Sequence, residues 1–423
     1  MNHFEPRDGE LRCEDVSLTA LAEAVGTPLY VYSSATLERH YRVFREALEA
    51  FPRLGAPLIA YAVKANSNLS VLATLGRLGA GADTVSEGEI RRALAAGIPA
   101  SRIVYSGVGK TAAELAFALE TGVEQINIES EPELTLLASL ARTRGVRPGV
   151  VSRVNPDVGA GGHAKISTGT RESKFGVSLA EAERLYALAE ADPNLKALGV
   201  ACHIGSQITD LAPLARAFGL MRDLVERLRA QGLTVERLDL GGGLGVPYFN
   251  QPDPPAPMAF AAMVDSVVGD MDIDLAFEPG RAIAANAGVL LARVIHVHAR
   301  PDGRRFLVLD AAMNDLIRPA MYDAYHDIRP VNPRPGPLVT YDVVGPVCET
   351  GDTFTRDRDL PPLEAGDLVA FMSAGAYGAV MSSEYNTRPL IPEVLVKGAD
   401  WAVVRPRPTY DEILAREPAA PWL

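Results

Sequence analysis

The stretch PLIAYAVKAN, residues 57–66, decides the fold of this chain. Apolar residues run without a break from Leu58 to Val63, and a single lysine, Lys64, follows them. A short apolar run of this kind predicts a strand that is buried on both faces, as in a parallel sheet. Lysine is rarely buried without a partner. Lys64 is therefore either a side chain that reaches the surface at the end of a strand or a residue with a chemical role.

Seven further strands of the same kind follow, and a predicted helix separates each strand from the next. A helix at 34–51 comes first, and strict alternation of strand and helix predicts a parallel sheet. Eight such units predict a closed (β/α)8 barrel, whereas an open doubly wound sheet is the alternative. No G-x-G-x-x-G follows the first strand, which disfavours the open sheet. The further strands are predicted at 82–85, 103–105, 125–128, 149–154, 198–203, 235–240 and 273–277.

From about Glu278 the pattern changes to short β-like segments that are interrupted by proline and glycine. Such spacing predicts a small β-sandwich or β-barrel domain at the C-terminus. Residues 1–33 contain a predicted helix at 18–25 and a strand at 28–32, and we expect that strand to join the β domain. The predicted domains are thus a barrel at 34–277 and a β domain made of 1–33 and 278–423. The β-like segments are 289–297, 305–310, 338–344, 367–371, 377–381 and 393–397.

The length, charge and cysteine content of the chain disfavour several classes of partner and site. A chain of 423 residues is long enough for two domains. The formal net charge of −12 disfavours nucleic acid or an anionic membrane surface as a partner. No apolar run approaches the roughly 20 residues of a membrane span, and the N-terminus has no apolar signal core, so we expect a cytoplasmic protein. Cys13, Cys202 and Cys348 lie far apart and predict neither a disulfide framework nor a metal site.

The residues at the ends of the predicted barrel strands are nearly all polar or glycine. In a (β/α)8 barrel the carboxyl ends of the strands surround the active site. A desolvated lysine is nucleophilic, so we hypothesise that Lys64 holds pyridoxal phosphate as a Schiff base. The strand ends carry Lys64, Asp83, Ser86, Ser106, Gly107, Asn127, Glu129, Arg153, Asn155, His203, Gly241, Gly242, Gly243 and Glu278.

Several of these ends suit that cofactor. Glu278, in FEPGR, could pair with the pyridine nitrogen and keep it protonated, so that the ring accepts electrons. His203, in CHIGSQ, could stack on the ring with Ser206 nearby. The GGGLG run, residues 241–245, could cradle a phosphate with its backbone N–H groups. Each of these has a structural alternative. His203 could be a packed structural histidine, Glu278 could be a helix cap or a salt-bridge partner, and the glycine run could be a simple tight turn.

Three loops carry further candidates. The glycine-rich loop at 155–176 is long, which is typical of a lid, and we expect His163 or Lys165 to face the site. Cys348 lies in VGPVCETGD, where a thiol could give a proton to a carbanion, although a lone cysteine is often an inert small hydrophobe. Tyr377 lies between small residues in AGAYG, which suits close approach to a ligand.

Taken together, these motifs resemble those of diaminopimelate decarboxylase. The family belongs to the pyridoxal-phosphate-dependent decarboxylases with an alanine-racemase-like barrel, and the resemblance spans roughly residues 25–400. It implies the decarboxylation of meso-2,6-diaminopimelate to L-lysine and CO2, the last step of lysine biosynthesis. In chain order the motifs are YAVKAN, HIGSQ, GGGLG, FEPGR, MNDLIRPAMYDAYH, VGPVCETGD and AGAYG.

The resemblance also implies roles for individual residues. It implies a homodimer in which Cys348 reaches across from the second subunit as proton donor, with Lys64 and His203 as the other catalytic residues. Glu87 and Ala312 stand where the family commonly has glycine, and neither holds one of these roles. The implied cofactor-binding residues are Lys64, His203, Ser206, Gly242, Gly243, Gly245, Glu278, Arg281 and Tyr377. The implied substrate-binding residues are Arg281, Arg318, Tyr322, Glu349 and Tyr377.

Charge also bears on the substrate. A cation that gripped the departing carboxylate would oppose its loss. Arg281 and Arg318 therefore suit a second, remote carboxylate, and Glu349 suits a remote ammonium. Diaminopimelate carries both groups at its far end, so it is preferred over the alternative substrates, another basic amino acid or carboxynorspermidine. A racemase, a non-catalytic cofactor carrier and a scaffold without cofactor are the alternatives from other classes.

Overall fold

A computed structural model describes residues 2–160, 168–248 and 253–422. The chain divides into two compact units. One, the barrel unit, contains Glu38–Pro247 and Pro252–Ile283. The other, the β unit, contains Met1–Leu37, Tyr248–Gln251 and Ala284–Leu423.

The N-terminal segment forms a small antiparallel sheet, one helix and one strand of a larger sheet. Its turn at Asp8 and Gly9 has φ values of 53° and 81°, the left-handed conformation that an Asp-Gly hairpin turn requires. Ser17 caps the helix by accepting a hydrogen bond from the Ala20 N–H. The elements are β1 (Phe4–Arg7), β2 (Glu10–Cys13), β3 (Val16–Ser17), α1 (Leu18–Val25) and β4 (Leu29–Ser33).

The next elements alternate between helix and strand. They are α2 (Ser34–Glu49), β5 (Leu58–Ala62), α3 (Leu69–Gly76), β6 (Gly81–Thr84), α4 (Glu87–Ala95), β7 (Ile103–Tyr105), α5 (Ala112–Thr121), β8 (Gln125–Ile128), α6 (Glu131–Arg144), β9 (Gly149–Val154), α7 (Leu179–Ala191), β10 (Lys196–Cys202), α8 (Leu211–Ala230), β11 (Arg237–Asp239), α9 (Pro257–Val268), β12 (Asp274–Phe277) and α10 (Arg281–Ala284).

Strands β5 to β12 close into a parallel barrel, with β12 pairing back onto β5 through Phe277 and Ile59. The predicted (β/α)8 barrel is therefore confirmed. Strand β5 comes from the apolar run before Lys64, and four of its five residues are buried. Burial on both faces is what a strand inside a ring of helices requires.

Four barrel helices start with the same sequence device, a Ser or Thr followed three residues later by Glu. The hydroxyl of each first residue accepts a hydrogen bond from the glutamate N–H, which satisfies a donor at the helix start. Helix α4 thus begins at Glu87, soon after β6 ends at Thr84, and α6 begins soon after β8, whereas a long loop separates β9 from α7. The pairs are Ser86 with Glu89, Thr111 with Glu114, Ser130 with Glu133, and Ser178 with Glu181. None of the helices in the described ranges is long and apolar enough to cross a bilayer.

The β unit contains a mixed sheet. Its further elements are β13 (Gly288–Ala299), β14 (Arg305–Leu309), α11 (Arg318–Tyr322), β15 (Ile328–Pro330), β16 (Val339–Val344), β17 (Thr353–Leu360), β18 (Leu368–Phe371), β19 (Glu393–Lys397), β20 (Asp400–Arg405) and α12 (Tyr410–Leu414). The sheet runs in the order β17-β16-β14-β13-β4-β19-β20, while β18 pairs with both β13 and β15. Strand β4 lies antiparallel to β13 and parallel to β19, so the expectation that the N-terminal strand joins the β domain is confirmed.

One predicted strand is wrong. Residues 377–381 form a turn and a short 3-10 helix, Ala379–Met381. Tyr377 has a φ of 56°, which no strand residue adopts. A side chain on Gly378 would lie 2.6 Å from the Ala374 carbonyl oxygen and 2.7 Å from the Tyr30 hydroxyl. The backbone here turns tightly against β4 instead of extending.

Candidate active site

Lys64 lies at the mouth of the barrel, immediately after β5. It belongs to a single 3-10 turn, Val63–Ala65. Its ammonium forms an ion pair with the carboxylate of Asp83 at the end of β6. The Lys64 side chain is 35% exposed, whereas Asp83 is fully buried. Gly280 packs on this turn, since a Cβ there would lie only 2.9 Å and 3.0 Å from the Cβ atoms of Ala62 and Ala65.

A cavity of about 400 Å³ opens beside Lys64. This volume suits a small molecule. The ends of several barrel strands line it. The polar side chains in this lining include Lys64, Ser106, Asn127, Arg153, His203 and Glu278. All six were singled out as strand-end residues from the sequence, and the barrel brings them to one place.

His203 follows β10 and is held by the glycine run. Its Nδ1 accepts a hydrogen bond from the Gly242 N–H at 3.2 Å, so the proton of the neutral ring lies on Nε2. Burial, together with the positive charges of Lys64 and Arg153, lowers the pKa of His203 to about 3. At neutral pH the cavity therefore has a flat, uncharged imidazole on its wall.

Glu278 follows β12 and lines the cavity. Burial, with the negative charges of Asp239 and Asp83, raises the pKa of Glu278 well above its ordinary value. Among the described residues, nothing makes a hydrogen bond to its buried Oε1. A buried oxygen without a partner costs free energy unless a ligand or a water supplies one.

The glycine run after β11 brings three loops into close contact. Gly241 and Gly243 have φ values of 63° and 116°. A Cβ on Gly242 would collide with the Glu278 carbonyl oxygen, and one on Gly243 would lie 2.6 Å from the Gly205 carbonyl oxygen. The N–H groups of Gly241, Gly242 and Gly245 donate to Asp239, to His203 and to the Ile208 carbonyl. Glycine is required here because the backbones approach one another without room for a side chain.

Ser206 and Arg281 lie together near this run. Arg281 is the first residue of α10 and is only 6% exposed. Its Nε and a terminal nitrogen both donate to the Ser206 hydroxyl at 3.0 Å. The guanidinium is thus fixed in orientation by its own unit of the chain.

The loop after β9 is anchored at both of its ends. Arg153 pairs with Glu129 at 2.8 Å, and Glu129 also accepts a hydrogen bond from the Gly176 N–H at 2.8 Å. The Asn155 amide donates to the carbonyl oxygens of Thr170 and Phe175. His163 and Lys165, the predicted lid residues, lie outside the described residues.

The remaining predicted residues belong to the β unit. Arg318 begins α11, is buried, and lies 3.2 Å from the Tyr248 hydroxyl and 3.0 Å from His326 Nε2. Tyr322 is the last residue of the same helix. Tyr377 lies in the turn already described, with a left-handed φ.

Cys348 and Glu349 lie in an exposed turn between β16 and β17. The Cys348 N–H donates to the Asn386 side chain at 3.0 Å. Buried Asp352 fixes the same turn by accepting hydrogen bonds from the N–H groups of Val347 and Met313, at 2.7 Å and 2.6 Å. The thiol is therefore presented outward on a rigid turn.

Comparison with known proteins identifies the family. The model of the pyridoxal binding domain of pyridoxal-dependent decarboxylases matches residues 34–285. A diaminopimelate decarboxylase of Vibrio cholerae is 50% identical over 423 residues and covers 100% of both chains. This chain belongs to the diaminopimelate decarboxylase family.

Solved structures of the diaminopimelate decarboxylase family agree with this assignment. The enzyme from M. jannaschii in complex with L-lysine superposes with a TM-score of 0.95 at 34% identity, over 100% of each chain. The enzyme from Helicobacter pylori, also with L-lysine, gives a TM-score of 0.89 at 38% identity, over 94% of this chain and 98% of that one. The family and the fold that the motifs predict are therefore confirmed.

Two residues behind the barrel mouth and one beside Cys348 were not singled out from the sequence of this decarboxylase. Asp239 is fully buried and accepts a hydrogen bond from the Gly241 N–H at 2.9 Å. Gln125 donates to Asp239 at 2.9 Å. Asn386 holds the Cys348 turn. Asp239 carried a signal, because it is a carboxylate at the end of a buried strand just before the glycine run. Gln125 and Asn386 carried none, since their partners are distant in sequence.

Proposed function

We propose that this chain catalyses the pyridoxal-phosphate-dependent decarboxylation of meso-2,6-diaminopimelate to L-lysine and CO2. The observation that carries the proposal is the grouping of Lys64, His203 and Glu278 around one cavity at the barrel mouth, in a member of the diaminopimelate decarboxylase family. Relatives crystallised with L-lysine, the product of this reaction, support the choice of substrate.

The residues at the barrel mouth fit the cofactor. Glu278 offers a buried oxygen to which no described residue makes a hydrogen bond, and this oxygen suits the protonated nitrogen of a pyridine ring. His203 is flat and uncharged, so it can pack against an aromatic ring without adding a charge. Lys64 would be the amine to which the cofactor is joined, and Asp83 holds that amine at the mouth. Ser206, Arg281 and the run of Gly242, Gly243 and Gly245 would surround the phosphate, together with Tyr377 from the β unit.

Pyridoxal phosphate, when bound, supplies a conjugated ring that accepts the electron pair left behind by a departing carboxylate. The protein must then stabilise positive charge on the ring nitrogen and add none at the face of the ring. Glu278 favours a proton on the ring nitrogen, because a carboxylate stabilises a neighbouring cation. His203 adds no competing positive charge to the ring face, since its pKa is about 3.

The substrate contacts follow from charge. Arg318 and Arg281 would bind the carboxylate that stays on the product, because a cation on the leaving carboxylate would stabilise the ground state. A guanidinium binds a carboxylate through two parallel hydrogen bonds. Glu349 would bind the remote ammonium, with Tyr322 and Tyr377 beside the substrate. Cys348 would donate the proton that replaces CO2.

We further propose that the enzyme is a cytoplasmic homodimer. The outward presentation of Cys348 on an exposed turn is consistent with a thiol that acts in the site of a second subunit. Cross-linking and light scattering of the purified holoenzyme test the dimer directly. A monomer with full activity would contradict it.

The test of the function is release of CO2 from meso-2,6-diaminopimelate in the presence of added pyridoxal phosphate. We expect L-lysine to appear in equal amount and L-ornithine, L-lysine and carboxynorspermidine to release far less CO2. Lys64→Ala is the inactive control. Preferred turnover of ornithine or carboxynorspermidine would show that the enzyme is a decarboxylase of another specificity. Racemisation without release of CO2 would reject decarboxylation.

A further inference from the structure

Lys110 is a charged residue of the barrel unit to which the proposed function gives no role. It precedes α5 and lines the cavity, and its side chain is completely buried. Its ammonium donates to the carbonyl oxygens of Gly107 and Asn127, at 2.7 Å and 2.5 Å, and to Glu133 Oε1 at 2.5 Å. An ammonium has three N–H donors, so all of them are used inside the protein. Lysine is rarely buried, because the removal of a charge from water is costly.

Two acids connect Lys110 to Arg153. Glu133 Oε2 accepts a hydrogen bond from the Glu129 N–H at 2.9 Å, which fixes the backbone just after β8. The Glu129 carboxylate accepts a hydrogen bond from Arg153 at 2.8 Å and another from the Gly176 N–H at 2.8 Å. Both oxygens of each acid therefore have a donor. These four charged side chains, two cations and two anions, form one continuous network, the Lys110 network.

The Lys110 network leaves one edge of a guanidinium for the cavity. Arg153 is the only arginine among the described residues that line this cavity. Within the described part of the chain its one hydrogen-bond acceptor is Glu129, which a single terminal nitrogen contacts. The guanidinium carbon lies 4.8 Å from the centre of the Phe175 ring, which covers one face. The edge formed by Nε and the other terminal nitrogen is of the kind that binds an oxyanion through two hydrogen bonds.

We propose that Lys110 is a positioning residue, whose network fixes the guanidinium of Arg153 so that its free edge binds an anionic oxygen of the bound ligand. This inference rests on the proposed function, which supplies two sources of such an oxygen, the cofactor and a carboxylate of the substrate. The acids of the network are already satisfied by donors, so the guanidinium keeps one orientation. Because the charges of the network balance, the cost of burying this guanidinium is limited.

The experiment measures two values, the dissociation constant of pyridoxal phosphate and KM for diaminopimelate at saturating cofactor. Arg153→Met keeps the length of the side chain but removes the guanidinium. We expect at least one value to rise by about tenfold or more, since a charge-assisted hydrogen bond is lost. A weaker cofactor with an unchanged KM assigns the oxygen to the cofactor, and a higher KM with an unchanged dissociation constant assigns it to the substrate. Two unchanged values would overturn the inference.

A double-mutant cycle tests whether Lys110 acts through Arg153. Lys110→Met should change the same value in the same direction by a smaller factor, and it should have almost no further effect in the Arg153→Met background. Equal factors in both backgrounds would show that Lys110 acts independently of Arg153, which would overturn the inference. Glu129→Gln keeps the shape of the acid but removes its charge. It decides the matter in the same way if Lys110→Met does not fold.

Controls separate this inference from the proposed function. Arg184→Met removes an exposed arginine that pairs with Glu131, and it should change neither value. A parent enzyme that releases no CO2 from diaminopimelate would overturn the proposed function. A parent that releases CO2 and is matched by all of the Lys110 network variants would overturn only the role of that network.

Discussion

The ammonium of Lys64 and the carboxylate of Asp83 form an ion pair across the ends of two neighbouring barrel strands. Asp83 is fully buried, whereas Lys64 reaches the cavity and is partly exposed. The pair holds the lysine amine at the barrel mouth, facing His203 and Glu278 across one cavity.

Lys64→Ala should abolish both the visible absorbance of the bound cofactor and the release of CO2, because it removes the amine to which we assign the cofactor. The variant should still fold, with a loss of stability of about 1–3 kcal/mol, because Asp83 keeps a buried carboxylate without its cation. Absorbance spectra and urea unfolding measure the two effects. Lys196→Ala, which breaks an exposed pair on the barrel surface, is the matched control. A Lys64→Ala enzyme that kept its visible band would refute the assignment.

Arg318→Ala should weaken the substrate far more than the cofactor. A charge-assisted hydrogen bond is worth enough that KM for diaminopimelate should rise by about tenfold to a hundredfold. The dissociation constant of pyridoxal phosphate should stay unchanged. Arg334→Ala, which removes an exposed arginine of the same unit, should alter neither value. Equal weakening of substrate and cofactor would show that Arg318 does not bind the substrate.

Cys348→Ala should slow turnover while leaving the cofactor bound. A proton donor typically contributes roughly a hundredfold or more to the rate. The exposed thiol lies on a turn fixed by Asp352 and Asn386, so its removal should not disturb the fold. Turnover and absorbance of the same preparation measure rate and occupancy. Cys13→Ala changes a buried cysteine and is the control for loss of a thiol. Unchanged turnover of Cys348→Ala would reject the proton-donor role.

His203 should make the protein less stable in acid. Its folded pKa of about 3 lies below the ordinary value of 6.5, so the unfolded chain binds more protons between these values. Stability from this group is complete above about pH 6.5 and is lost as the pH falls toward 3. Because the ring is only half-buried, we expect at most about 2 kcal/mol of loss between pH 7 and pH 5.

The measurement for His203 is the urea midpoint of the parent and of His203→Gln at both pH values. The variant should show a smaller acid-induced drop than the parent. His298→Gln, at an exposed strand position, should behave like the parent. Equal drops in the parent and in His203→Gln would mean that His203 is not held in its neutral form.

The barrel could be predicted because its strands carry a strong local signal. The runs before Lys64 and at Ile103–Tyr105 are short, apolar and followed by polar residues, whereas Gln125–Ile128 alternates polar and apolar residues. Strand β17 was missed because charged residues interrupt it and no apolar run marks it. Strand β20 was missed although its residues 401–404 are apolar. The hairpin of β1 and β2 was missed although Asp8 and Gly9 form a turn signal. The predicted domain boundaries, 34–277 against 1–33 with 278–423, stay a prediction.

The sequence predicts those residues of the site that lie at the ends of the barrel strands, because the order of the strands can be read from the sequence. Barrel closure brings Lys64, His203 and Glu278 together, so naming the strand ends was enough to find them. The contact of Asp239 with Gln125 joins residues that are 114 positions apart, and no local pattern specifies it. The roles of Arg318, Tyr322, Cys348, Glu349 and Tyr377 stay predictions, which the variants above test.

The most direct test of the account is to reduce the holoenzyme with borohydride and map the modified peptide by mass spectrometry. Reduction fixes the cofactor on whichever amine it is joined to. We predict a single labelled peptide, with the cofactor on Lys64. A label on any other lysine, or no label in a preparation that releases CO2 from diaminopimelate, would contradict the central claim.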